Sequence, residues 1–121
     1  MKAYTDIEQS KKLAEFLPHE SADMWYDNDG ESIAGRPEVR HCSFIGLASM
    51  NIPCWSLAAL LETLPLEVET HKQTDGHKIY YYVESYMKRM EKEIYLSSER
   101  YENLVDACYE MILRMHEQKL L

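Results

Sequence analysis

Val68-Glu69-Thr70-His71-Lys72-Gln73-Thr74-Asp75-Gly76-His77-Lys78-Ile79-Tyr80-Tyr81-Tyr82-Val83 is two strand-like runs joined by Asp75-Gly76. Asp-Gly between alternating runs signals a β-hairpin, because a type I′ turn needs positive φ at both central residues. With those two residues as the turn, Thr74 faces His77, His71 faces Tyr80, Glu69 faces Tyr82 and Val68 faces Val83. Side chains alternate along a strand. One face then carries Val68, Thr70, Ile79, Tyr81 and Val83; the other carries Glu69, His71, Gln73, Lys78, Tyr80 and Tyr82. The first is the natural core face.

Three helices flank this hairpin. Thr5 and Glu8 read as a capping box ahead of Ile7, Ser10, Leu13, Ala14 and Leu17, and Pro18 ends that segment. Leu57, Leu60, Leu61 and Leu64 form one apolar stripe that starts after Trp55 and stops at Pro65. Tyr101, Leu104, Val105, Cys108, Met111, Ile112 and Met115 keep helical spacing over four turns, with Asn103 or Ser98 as the cap. Ala22 to Tyr26 and Ile94 to Leu96 read as short strands, residues 84–93 as a helical turn or loop. Residues 27–53 are irregular, with a short strand expected around Ser43 to Leu47. The expected architecture is a single α+β domain over 1–121. Its three amphipathic helices pack on a small, mostly antiparallel sheet centred on the 67–84 hairpin.

Bulk properties exclude several classes. The 121 residues are 45% apolar, enough for one core without disulfides or a metal. No apolar h-region follows Lys2, and the longest apolar run, Leu57 to Leu61, is far below the ~20 residues of a membrane span. A cytoplasmic protein without membrane association is expected. Lys and Arg total 13 against 21 Asp and Glu, a net charge of −8, spread evenly over both halves. That field opposes nucleic-acid phosphates, so nucleic acid is not an expected partner.

Candidate chemistry fails on inspection. His19-Glu20-Ser21-Ala22-Asp23 begins like a zinc-protease motif but ends in Asp and follows Pro18. His71 and His77 fall on opposite faces of the hairpin and cannot share an ion. His41-Cys42 lacks a group to orient the base, and Ser56 lacks a nucleophile elbow. His116, near the end of the last helix, complements the helix dipole. Cys42, Cys54 and Cys108 are scattered and odd in number, which is not a disulfide framework. No catalytic residue, cofactor or metal is expected. What remains is the outer hairpin face. Tyr80 and Tyr82 beside His71 and Glu69 mix rings and polar groups as a modest protein interface does, unless a helix covers them.

Three blocks carry a resemblance: Thr5 to Glu15 running on to Glu20–Tyr26, Pro53 to Leu61, and Asp106 to Glu117. Together they resemble small uncharacterised proteins of gut Bacteroides and relatives, often associated with prophage or other mobile elements. The resemblance implies a small cytoplasmic domain and carries over no activity. The expected function is a non-enzymatic protein-interaction module of a mobile element, binding a protein partner or a second copy of itself. An acidic inhibitor that mimics DNA is the alternative, and an enzyme without a recognisable motif a further one.

Overall fold

Two overlapping capping signals precede helix α1 (Ile7–Ala14), and the chain uses the second. Asp6 is the N-cap: its Oδ1 accepts from the Gln9 N–H at 2.8 Å, while Gln9 Oε1 accepts from the Asp6 N–H at 3.1 Å. The expected Thr5–Glu8 box is displaced by one residue because Thr5 is used elsewhere. It is fully buried, and its Oγ1 accepts from the Trp55 N–H at 3.1 Å.

The computed structural model describes residues 2–26, 37–39 and 52–121. They fall in two units, Ala3–Ala59 and Leu60–Leu121 with Lys2. In the first, β1 (Met24–Tyr26) lies between β2 (Glu38–Val39) and β3 (Ile52–Cys54), both antiparallel to it. Strand β2 and the start of β3 lie within the segment 27–53 expected to be irregular. Among the described residues β3 is an outer strand of this sheet, the position at which a strand tolerates Pro53. The strand expected at Ser43 to Leu47 lies outside the described residues. Leu13 of α1, Cys54 and Trp55 are fully buried, and Trp25, Trp55 and Tyr26 supply the buried rings. A 3₁₀ turn, His19–Ser21, follows Pro18. Helix α2 spans Leu57–Thr63. Ser56 caps it by accepting from the Ala59 N–H at 3.2 Å.

The second unit is built on the hairpin. Strand β5 (Ile79–Arg89) pairs antiparallel with β4 (Val68–Thr74) on one side and β6 (Lys92–Ser97) on the other. The fold is therefore α+β, with three α-helices and two antiparallel three-stranded sheets among the described residues. The helices do not share one sheet: α1 packs on β3, and α3 (Leu104–Glu117) packs on β5 and β6.

Register corrects the sequence reading. Thr74 pairs with Ile79, so Asp75 to Lys78 form a four-residue connection rather than a two-residue turn. Asp75 dictates this, its Oδ1 accepting from the N–H groups of His77 and Lys78, each at 2.8 Å. Those bonds hold its carboxyl below the usual carboxylate range, the bond from Lys78 contributing most. Gly76 takes φ +93°, where a side chain would be strained. Every pair thus slips by two residues: His71 faces Tyr82, Glu69 faces Glu84, and Thr70 faces Val83. A slip of two preserves the face of each residue. Val83, Ser85 and Met87 form the buried face, together with Val105, Cys108, Met111, Ile112 and Met115 of α3. Ile79, expected in the core, is exposed beside the turn.

Residues 84–89, expected as a helical turn or loop, extend β5. The true two-residue turn is Met90-Glu91, with φ of 50° and 66°. Neither residue favours that region. Met90→Asn with Glu91→Gly is therefore expected to raise unfolding free energy by about 1 kcal/mol, measured by urea denaturation; a lower midpoint would show that the two side chains hold the turn.

Asn103 caps α3, accepting from the Asp106 N–H at 2.8 Å, as its spacing predicts. Asp106 also pairs with Lys2 at 2.8 Å. His116 lies in the last turn, with Arg114, where cations complement the helix dipole.

Candidate functional site

The outer face of the second sheet collects the site. Alternation on β4 points Glu69, His71 and Gln73 outward, and the observed register sets Glu84, Tyr82 and Tyr80 against them. On β6, Tyr95 pairs with Tyr86 and Ser97 with Glu84. Helix α3 packs against the opposite face, where Val83 and Met87 are buried, while Tyr86 and Tyr95 remain 57% and 61% exposed.

Polar contacts order this face. The His71 and Tyr82 rings stack, 4.7 Å apart and 12° from parallel. The Arg100 guanidinium lies 5.9 Å from the Tyr82 ring centroid, and Gln73 Nε2 donates to the Tyr82 hydroxyl at 3.4 Å. His71 Nε2 is 2.7 Å from Glu84 Oε1 and 3.5 Å from Glu69 Oε2. The Tyr95 hydroxyl donates to Glu84 Oε2 at 2.7 Å, and this bond is the main reason that its pKa is raised. Tyr86 is raised likewise, first by its bond to Glu93. Beside these groups lies an open groove of about 390 Å³ lined by Leu66, Glu67, Glu69, Glu84, Tyr86 and Tyr95. Three carboxylates and two phenol rings make it a cation-attracting surface.

Of the residues named from sequence, Glu69, His71 and Tyr82 come together here. Tyr80 lies toward the turn, its hydroxyl 3.5 Å from Asp75 Oδ2. Glu84, Tyr86, Tyr95 and Leu66 were missed. Glu84 is hidden by the two-residue register, which sets Tyr82 opposite Glu69. Tyr86 and Tyr95 are hidden because residues 84–93 carry no turn signal between two strands. Counting period-2 alternation past Val83 would have found Glu84 and Tyr86, but not Tyr95, which lies on the next strand.

The remaining candidates resolve into structural roles. His77 is exposed at the turn. Ser56 donates through its N–H to Asp23 Oδ1 at 2.9 Å and through its hydroxyl to Asp23 Oδ2. The Ser21 hydroxyl accepts from Trp55 Nε1 at 2.9 Å. Cys54 is enclosed by Thr5, Ser10 and Tyr26, and burial pushes its thiol up, against nucleophilic use. Burial alone pushes the Cys108 thiol up to about 12. His41-Cys42 lies outside the described residues. No helix among the described residues is long and apolar enough to cross a membrane.

No family model, curated protein or solved structure was found to match the chain.

Proposed function

We propose that the protein is a non-enzymatic interaction module whose outer sheet face docks a basic segment of another protein. The observation that carries this reading is the groove, where exposed Tyr86 and Tyr95 stand beside Glu67, Glu69 and Glu84. Rings beside carboxylates recognise Lys and Arg side chains through cation–π attraction and ion pairing together. The net charge of −8 adds long-range attraction for a cationic partner and repels nucleic acid. The mixture of rings with acids supports this reading over an acidic mimic of DNA, which calls for an unbroken carboxylate stripe. The resemblance noted in the sequence supports a cytoplasmic setting in a mobile element.

The test is a photo-cross-linker at position 86, introduced into the full chain in its native cell. The expected product joins the protein to a Lys- or Arg-rich segment of another protein, and Glu67→Lys with Glu69→Lys abolishes it. A product with a second copy of the chain would replace the partner by self-association. Cross-links that survive the charge reversal would overturn the docking mode.

A further inference from the structure

We propose that Glu69, His71 and Glu84 form a binding site for one first-row divalent transition-metal ion, with Zn²⁺ as its type. One ligand atom from each residue lies within 4.8 Å of the others. The three sit on two adjacent strands, Glu69 directly opposite Glu84 and His71 two residues along on the same face. Sheet strands hold such a set more precisely than loops do.

The local electrostatics ask for a cation. Two carboxylates directly opposite each other on one face repel. The imidazole between them does not answer with a hydrogen bond. Nε2 is shielded from solvent and 2.7 Å from Glu84 Oε1, yet makes no aligned hydrogen bond to either carboxylate. Instead the nitrogen and the oxygens converge, as donors around a shared ion do.

The surroundings match what metal ligands need. The Tyr95 hydroxyl holds the other oxygen of Glu84, and Tyr82 stacks on the imidazole. Such outer contacts orient ligands and tune their affinity. Glu69 is 73% exposed and free to swing, so its carboxylate can close on an ion with bonds of about 2.0–2.2 Å. One nitrogen and two carboxylates suit Zn²⁺ or its first-row neighbours; Mg²⁺ and Ca²⁺ favour oxygen alone. Three protein ligands leave a position open, and Glu69 and Glu84 border the groove, where water or an incoming side chain can fill it.

This departs from the sequence expectation of no metal, which weighed His71 with His77 and had no view of Glu84. The site shares two carboxylates with the docking groove but does not rest on docking.

Untagged full-length protein, stripped with a chelator, is titrated calorimetrically with Zn²⁺ alone. One equivalent is expected to bind, with the His71 imidazole nitrogen resonances shifting and Co²⁺ giving visible d–d absorption. Glu84→Gln and His71→Gln should abolish binding. Glu69→Gln, at a side chain 73% exposed, should weaken it at least about tenfold. Tyr95→Phe removes only the hydroxyl on Glu84 and should weaken it about tenfold. Absence of saturable uptake, or uptake unchanged by Glu69→Gln and Tyr95→Phe, overturns the site. Loss of cross-linking at position 86 with Zn²⁺ uptake intact counts against docking alone. Intact cross-linking without uptake overturns the metal site alone.

Discussion

Trp55→Ala is expected to destabilise the fold by about 3–5 kcal/mol, the range for deleting a large buried ring. Trp55 is the largest of the fully buried side chains. Its Nε1 donates to the Ser21 hydroxyl at 2.9 Å, and its carbonyl accepts from the Thr5 N–H at 3.0 Å. Deletion removes the ring's apolar contacts, leaves a cavity and strips Ser21 of a donor. Trp55→Phe keeps part of the ring volume and should cost clearly less. Urea denaturation of the three proteins at equal slope measures both costs. A Trp55→Ala loss below about 1 kcal/mol would mean that the site collapses around the missing ring.

Ile112→Ala is expected to cost about 2–4 kcal/mol by transfer and cavity terms together. Ile112 sits mid-helix in α3, fully buried with Val105, Cys108, Met111 and Met115. The flexible methionines can follow a shrinking neighbour, which favours the lower half of the range. Ile112→Val, which removes one methylene, should cost about 0.5–1.5 kcal/mol. An unchanged denaturation midpoint for Ile112→Ala would place this helix face outside the core.

Helix α3 was the most legible element, because a stripe from Val105 to Met115 has one burial solution, and Asn103, one of its two candidate caps, is the cap used. The turns were the least. Asp75-Gly76 carries the strongest two-residue hairpin signal, yet the connection is longer, because the Asp75 carboxylate gathers the N–H groups of His77 and Lys78. Met90-Glu91 carries no such signal and is the two-residue turn, held there by the ladders on both sides rather than by local preference. At α1 the sequence reading places the cap at Thr5, and the structure places it at Asp6. Hydrogen bonds to Trp55 and Cys54, remote in sequence, and to Ser10 occupy the Thr5 hydroxyl and take it out of that role.

The outer face shows the division most clearly. Within the hairpin read from sequence, alternation alone put Glu69, His71, Gln73, Tyr80 and Tyr82 on it, because strand side chains alternate with period 2 and a slip of two changes no face. Which residues stand opposite one another depends on how the connection closes and on the hydrogen-bonded partner of each strand. Only the tertiary structure decided that Glu84, and not Tyr82, faces Glu69, and that Tyr95 arrives from β6 to hold it. Periodicity is a property of one strand and can be read along the chain. Register belongs to a pair of strands, and a ligand set drawn from two strands exists only once that pair has formed.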